Sequence, residues 1–250
     1  LAAHRDEVEE IQAFLRWLRD GGFVFLGYRG YDVTEVPGRG PCVRVTEGSG
    51  LGVLDEEKES RFWEPVPVAS LEPAQREILV RGPLLVISKT NAEATVHRRA
   101  RMDYIGVRKL GAAGELLGEH RFLGLFTSKA YSEDAEDIPI LRRKLRQILH
   151  ESGVREGSHD YKEIITIFNS LPKEELFLAS AAEVGHDIRT VLTSYHTADV
   201  RLSLRGDPLG LGASVMVILP KDRFSGDARK ALESVLREAF GGEIADGSRE

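Results

Sequence analysis

The chain has 250 residues, of which 42% are hydrophobic and 30% are charged, and its formal net charge at pH 7 is −6. These proportions are typical of a folded globular chain and exclude a largely disordered one. The mildly acidic balance disfavours general nucleic-acid binding. The sequence has neither a run of ~18 apolar residues that would span a membrane nor a basic and then apolar leader. We therefore expect a cytoplasmic protein with no nucleic-acid partner and no membrane partner.

Motifs for cofactors and metals are missing from the sequence. Cys42 is the only cysteine, which excludes an internal disulfide and a cysteine-rich zinc site. The glycine-containing stretches at 22–30 and 50–54 match neither the G-x-G-x-x-G pattern nor a P-loop. The seven histidines form no H-x-x-x-H or H-E-x-x-H pair. We expect no nucleotide cofactor and no metal in this chain.

The N-terminal part begins with a predicted amphipathic helix over residues 5–20. Its apolar residues recur at spacings of three and four and therefore share one face: Val8, Ile11, Leu15 and Leu18. Gly21 and Gly22 are expected to end this helix, since glycine tolerates a left-handed closing residue. The next segments, 23–33 and 41–45, are predicted strands, and residues 72–79 are predicted to form a short helix.

A run of strand signals follows in the next part of the chain. Strands are predicted at 83–89, 94–99, 103–110 and 115–128, and "GAAG" at 111–114 is typical of a hairpin turn. Two strands, a helical crossover and then several antiparallel strands favour an α+β fold. This order does not suit a parallel doubly wound sheet, in which a helix follows nearly every strand.

The pattern becomes helical after residue 137. Helices are predicted from Pro139 to Gly153, at 157–171, and once or twice more within 171–196. Two strands around a Pro-Leu-Gly turn, a helix at 225–240 and a possible strand at 241–247 complete the chain. We divide it into domains at 1–135, 136–197 and 198–250, and we expect the last to be an incomplete β-β-α-β unit of a longer protein.

A basic block is the least ordinary feature of this acidic chain. Residues 81–130 hold nine Lys or Arg and only four Asp or Glu. If 94–99 is a strand, His97 and Arg99 lie on one face and Arg98 points to the apolar side. Arg98 then either pairs with an acid of a neighbouring segment or binds a carboxylate or phosphate through its guanidinium group. Pairing with an acid of the protein is favoured over binding of a small anion, and both alternatives stay open.

Two other patterns suggest chemistry less strongly. Ser158, His159 and Asp160 have the residue types of a hydrolase triad, but consecutive side chains cannot align for that reaction. Capping of the following helix by Ser158 or Asp160 is favoured. Several aromatic residues could line a small-molecule pocket, although strand aromatics are more often core: Tyr28, Tyr31, Tyr104, Phe122 and Phe126.

Longer blocks of the sequence resemble a known family. The blocks "FLRWLRDGGFVFLGYRGYDV", "LLVISKTNAEATVHRRARMDYIGVRKL", "GEHRFLGLFTSKAY", "IPILRRKLRQIL" and "GSHDYKEIITIFNSLPKEELF" are similar to the N-terminal half of the large bacterial NAD-specific glutamate dehydrogenases. The resemblance extends over residues 10–240. It implies a parent enzyme that oxidatively deaminates L-glutamate to 2-oxoglutarate and reduces NAD.

The resemblance also implies what this part of such an enzyme does. In that family the dehydrogenase domain lies towards the C-terminus, so this chain is expected to contain no catalytic residue. An antiparallel PAS-like sheet with helices, a helical linker and an ACT-like unit are the implied folds. A regulatory or scaffolding role follows, with a small effector expected near Lys89, Arg98 and Arg99.

Two other roles are kept as alternatives. One is an assembly module that mediates subunit contacts, with a homo-oligomer and the rest of the parent chain as partners. The other, given little weight, is an independent hydrolase that uses His159 or His97.

Overall fold

The computed structural model describes residues 5–55, 60–195, 197, 199–207 and 212–244. The chain divides into two compact units, Leu1–Arg143 with Gly206–Ala213, and Lys144–Arg205 with Ser214–Glu250. Each unit combines helices with a β-sheet, which confirms the α+β class. The three domain boundaries given above stay a prediction.

The first unit opens with helix α1 (Arg5–Trp17), which continues as a π turn over Leu18–Gly22. Its buried stripe consists of Ile11, Phe14, Trp17 and Leu18, whereas Val8 is 40% exposed. The predicted helix is confirmed, with its apolar face rotated toward the two aromatic residues. Gly21, at φ +105°, closes the turn as expected, because a side chain rarely tolerates that conformation.

One antiparallel sheet of seven strands forms the body of this unit. Its strands are β1 Phe23–Val36, β2 Gly40–Val45, β3 Leu51–Gly52, β4 Val66–Pro67, β5 Leu85–Glu93, β6 Arg101–Leu110 and β7 Leu116–Phe126. Their order is β4-β2-β1-β7-β6-β5, and β3 pairs with β1. Helix α2 (Pro73–Arg81) precedes β5, and the short helix α3 (Ser128–Ser132) follows β7. The long strands β1 and β7 therefore lie at the centre of the sheet.

The predicted strand at 94–99 is wrong, because these residues form the loop of the β5–β6 hairpin. Strand β5 continues to Glu93, which pairs with Arg101. The amide of Ala94 donates to the carbonyl of Ala100 at 2.9 Å, and His97 adopts a left-handed φ of 65°. Extended backbone cannot pass through that conformation. Arg98 therefore lies in an exposed loop, and the expectation that it points to the apolar side of a strand is wrong.

Two hydrophobic clusters pack in the first unit. One contains Tyr31, Val43, Val45, Val68, Leu71 and Leu79. The other contains Val86, Ala94, Met102, Tyr104, Leu123 and Leu125. Tyr31 is paired with Glu119 in the sheet register, and Tyr104 is paired with Leu123. Because paired residues share a face and alternate residues along a strand do so too, Tyr31 and Tyr104 lie on the same face of the sheet.

The second unit is mainly helical. Its elements are α4 (Leu141–Ser152), which begins just before the unit boundary, α5 (His159–Ser170), α6 (Lys173–Leu178), α7 (Ala181–Ser194), β8 (Arg201–Gly206), β9 (Ala213–Ile218) and α8 (Gly226–Phe240). Strands β8 and β9 form a two-stranded sheet. The predicted turn at 208–210 and residues 245–247 of the possible strand at 241–247 lie outside the described residues, and residues 241–244 do not form a strand. None of the helices that the structure describes combines the length and hydrophobicity required to cross a membrane.

A lysine holds the end of α6 in this unit. The Nζ of half-buried Lys144 donates to the carbonyls of Leu176, Phe177 and Ala179 at 2.7, 3.1 and 2.5 Å. These carbonyls are at the C-terminus of α6, where a cation is favoured and the last carbonyls have no N–H partner within the helix. Burial lowers the pKa of Lys144 to about 7, while the carboxylate of Glu183 acts in the opposite direction.

A buried polar network joins the β8–β9 sheet to helices α6 and α7. Asp187, on α7, is 1% exposed and accepts a hydrogen bond from Ser203 Oγ at 2.5 Å. Arg205 Nη2 lies 2.5 Å from Glu175 Oε2 and 3.5 Å from Asp187 Oδ2. Ser214 Oγ on β9 donates to the same Glu175 oxygen at 2.6 Å. Both strands are thus bonded to the helices within one unit.

We predict that Asp187→Asn destabilises the second unit by about 2 kcal/mol, because Arg205 then faces a neutral amide in a buried position. Asp222→Asn is the matched control, since Asp222 is exposed, and we expect it to change stability by less than ~0.5 kcal/mol. The measurement is urea unfolding followed by far-ultraviolet circular dichroism. Equal stabilities of the two variants would contradict the prediction.

Candidate functional site

Lys89, the first of the predicted effector residues, neutralises a buried acid. Its Nζ lies 2.8 Å from Oδ1 of Asp103, whose side chain is 2% exposed. The other oxygen of Asp103 accepts a hydrogen bond from the amide of Phe126 at 3.0 Å. A buried carboxylate is tolerated when it is paired and hydrogen-bonded in this way. Lys89 therefore helps to fix β5, β6 and the end of β7.

Arg98 and Arg99 lie in the exposed hairpin loop. Arg98 Nη2 donates to the carbonyl of Phe126 at 3.3 Å, and its guanidinium carbon lies 5.7 Å from the centre of the Tyr131 ring. Lys89 and Arg98 are thus both linked to the backbone of Phe126, Lys89 through Asp103 and the Phe126 amide, and Arg98 directly through the Phe126 carbonyl. The partners of Arg98 are a carbonyl and a ring rather than the carboxylate that the pairing alternative expected.

A second cluster of charged groups lies on the sheet face of Tyr31 and Tyr104. We call Tyr31, Tyr104, Arg108, Glu119 and Arg121 the polar seam. Glu119 Oε1 accepts from the hydroxyl of Tyr104 at 2.7 Å and from Arg121 Nε at 3.1 Å. Arg121 Nη1 donates to the hydroxyl of Tyr31 at 3.2 Å. Its guanidinium carbon is 4.2 Å from the Tyr31 ring centre and 5.2 Å from that of Tyr104.

The register of the three central strands explains why these side chains meet. Glu119 on β7 is paired with Tyr31 on β1 and with Arg108 on β6. Arg121 is paired with Gly106, where a Cβ would lie only 2.6 Å from the hydroxyl of Tyr104. Glycine at this position therefore leaves the space through which Tyr104 reaches Glu119.

The electrostatics of the polar seam keep Tyr104 and Arg121 protonated. Burial raises the pKa of Tyr104, although the nearby Arg121 acts in the opposite direction. Burial alone would lower the pKa of Arg121, but Tyr104, Glu119 and Tyr31 raise it beyond its ordinary value. Arg108 has a pKa lowered by burial and partly restored by Glu119. Arg121 is thus a fixed cation within hydrogen-bonding distance of a carboxylate and a phenol.

Arg108 also holds the end of helix α2. Its Nη1 donates to the carbonyl of Gly82, and its Nη2 donates to the carbonyl of Val80 at 2.9 Å. Its Nε is enclosed and has no hydrogen-bond partner among the residues that the structure describes.

Arg108 and Arg121 both belong to the basic block at 81–130, but the sequence pattern alone does not place them together. Glu119 and Arg121 are alternate residues of the predicted strand 115–128, so their shared face could have been inferred. Their alignment with Arg108 and Tyr31 depends on strand register, which the sequence pattern does not specify.

The opposite face of β1 and β7 carries an open aromatic groove of about 610 Å³. It is lined by Phe25, Leu26, Gly27, Tyr28, Leu51, Gly52, His120 and Phe122. The Tyr28 hydroxyl lies 2.8 Å from His120 Nδ1, and burial lowers the pKa of His120. Of the five aromatics considered for a pocket, Tyr28 and Phe122 lie here, Tyr31 and Tyr104 lie in the polar seam, and Phe126 is 3% exposed in the core.

The Ser158–His159–Asp160 stretch forms the start of α5. Ser158 Oγ accepts from the amide of Tyr161 at 3.2 Å, which confirms the capping prediction for Ser158. One ligand atom each from His159, Asp160 and Glu163 lie within 4.8 Å of one another. Because His159 and Asp160 are exposed, as charged groups in the first turn of a helix commonly are, we assign no metal to this group.

Comparison with known proteins places these elements in a family. Residues 138–196 match the family model described as glutamate dehydrogenase, helical motif 1, and residues 201–249 match the one described as glutamate dehydrogenase, ACT2 domain. Helices α4 to α7 fall within the first match, and β8, β9 and α8 fall within the second.

Curated relatives extend the match over nearly the whole chain. NAD-specific glutamate dehydrogenases of Halomonas elongata, Pseudomonas aeruginosa and Mycobacterium tuberculosis are 32%, 31% and 30% identical to it. The alignments cover 98%, 93% and 96% of this chain but only 15%, 14% and 13% of those proteins. The chain therefore belongs to the family of the large NAD-specific glutamate dehydrogenases, of which it represents one segment.

Proposed function

We propose that this chain is a non-catalytic regulatory or scaffolding segment of a large NAD-dependent glutamate dehydrogenase. The parent protein would convert L-glutamate and NAD to 2-oxoglutarate, ammonium and NADH, and this segment would bind no NAD itself. The names of the three relatives support the parent reaction, and the ACT2 match supports a role outside catalysis. The remaining domains of the parent chain would be its first partners.

The observation that carries this proposal is the bonding between the ACT2 segment and the helical motif. Ser203 and Arg205 on β8 contact Asp187 and Glu175 on the helices, and three of these four side chains are charged. Buried charged contacts of this kind are geometrically demanding, so a displacement of the strands would be transmitted to α6 and α7. Such coupling is what a regulatory or scaffolding segment requires.

For the first unit we propose a PAS-like sensor fold. Two features support it: the antiparallel sheet, and the insertion of helix α2 between β2 and the three later long strands. A small effector would bind near Lys89, Arg98 and Arg99, as expected from the basic block. Arg98 and Arg99 are exposed, whereas Lys89 is engaged with Asp103.

We predict that Arg98→Gln with Arg99→Gln changes the regulation of the full-length protein but not its chemistry. The double variant should keep the wild-type kcat for glutamate within about twofold. Its half-maximal response to an amino acid, 2-oxo acid or nucleotide that affects the wild type should shift by at least ~5-fold. The measurement is the initial rate of NADH formation across that panel.

The control for this experiment is Arg44→Gln, because Arg44 is exposed on β2 of the same sheet. It should leave both kcat and the response unchanged. A large loss of kcat in the double variant, with unchanged effector responses, would contradict a regulatory role and place these residues closer to catalysis.

An assembly module is the second candidate, favoured by apolar side chains left exposed in the second unit. Leu202 and Leu204 on β8 are 56% and 50% exposed, and Val235 and Phe240 on α8 are 61% and 54% exposed. Exposed apolar side chains are candidates for a protein interface when they form a continuous patch. A second copy of the chain would cover them in a homo-oligomer.

We predict that the chain self-associates with increasing concentration and that Leu204→Glu abolishes the association by placing a charge in the contact. Light scattering gives the mass of each variant. Val8→Glu is the control, because Val8 is equally apolar and 40% exposed but lies on α1. A concentration-independent monomer, or loss of association in both variants, would remove the assembly role for this surface.

A further inference from the structure

We propose that the polar seam binds the carboxylate of a small molecule between Arg121 and Arg108. The inference rests on the proposed regulatory function and adds a second candidate site, separate from the one proposed near Lys89, Arg98 and Arg99. It is carried by two donors that the seam leaves unused and by the position of the seam between two hydrophobic clusters.

The first donor is Nη2 of Arg121. Nε and Nη1 are held by Glu119 and Tyr31, and no hydrogen bond of Nη2 occurs within the described part of the chain. About 29% of the Arg121 side-chain surface is accessible. The two fixed nitrogens and the adjacent tyrosine rings hold the guanidinium in one orientation, which lowers the entropy lost when an anion binds.

The second donor is Nε of Arg108. It is enclosed by protein, yet within the described ranges it meets no acceptor. Its two Nη groups bind the carbonyls at the end of α2, so the guanidinium cannot turn away to solvent without losing them. Enclosed donors without an acceptor are rare in folded proteins and commonly indicate a missing solvent molecule or ligand.

The surroundings of these donors resemble a ligand site. Tyr31 belongs to one hydrophobic cluster and Tyr104 to the other, and Arg121 stacks near both rings. Apolar walls with a few fixed polar groups are typical of small-molecule sites.

Charge selects a carboxylate over a phosphate at this position. Arg121 is partly neutralised by Glu119, whereas Arg108 faces only main-chain carbonyls among its hydrogen-bond partners. A singly charged carboxylate complements two arginines of which one is already partly neutralised, and its shape matches the planar guanidinium group. A doubly charged phosphate would be repelled more strongly by the neighbouring Glu119.

The test is calorimetric titration of the chain with propionate, succinate and inorganic phosphate. We expect saturable binding of at least one carboxylate, weakened about tenfold or more in Arg121→Lys, which keeps the charge but loses the planar donor pair. Arg44→Lys should bind as the wild type does. Circular dichroism of each variant establishes that it is folded.

Nuclear magnetic resonance of the wild-type chain provides a second readout that needs no variant. The Nε–H signals of Arg121 and Arg108 should shift as the bound carboxylate approaches saturation, while that of Arg44 stays in place. Any of three results would overturn the inference. Phosphate alone could bind, carboxylate binding could be unchanged in Arg121→Lys, or the carboxylate could saturate the chain without shifting the Nε–H signal of Arg121 or Arg108.

Failure of the polar-seam site can be distinguished from failure of the proposed regulatory function. Carboxylate binding that survives Arg121→Lys but disappears in the Arg98→Gln, Arg99→Gln variant would refute the polar-seam site and support the loop site. If no carboxylate binds the wild-type chain, the polar seam is structural and the inference fails. The regulatory role is then still decided by the kinetics of the full-length protein.

Discussion

The carboxylate of Asp187 is the point on which the organisation of the second unit depends. It is almost fully enclosed in α7, and its contacts with Ser203 and Arg205 tie strand β8 to the helices. A two-stranded sheet has little independent stability in water. The residues matched to the ACT2 domain and those matched to the helical motif therefore depend on each other, although two family models describe them separately.

A similar principle governs the central strands of the first unit, where charged groups are held between hydrophobic clusters. Glu119 is 6% exposed and accepts from both Tyr104 and Arg121, so this carboxylate is compensated by one donor on the neighbouring strand β6 and one on its own strand β7. Buried polar groups stabilise a fold only when their partners are in place. Gly106 is needed for the hydrogen bond between Tyr104 and Glu119, because any side chain at this position would displace Tyr104.

Much of the secondary structure could be predicted from periodicity and turn residues. The α1 helix, the strand pair around "GAAG" and the cap at Ser158 depend on local signals of this kind. The strand at 94–99 could not be excluded in the same way, since its β-branched residues resemble those of the true strands on either side. The polar seam depends on contacts between Tyr31, Arg108 and Glu119, residues far apart in sequence. Only the register of β1, β6 and β7 brings them together.

The central claim is that the β8–β9 sheet and helices α6 and α7 form one cooperative unit. Native-state hydrogen exchange tests it most directly, because it measures the opening free energy of each amide. We predict that the amides of β8 and α7 open with the same free energy in the wild type and that Asp187→Asn lowers both equally. Exchange of β8 at a much lower free energy than α7, with α7 unaffected by the substitution, would contradict the claim.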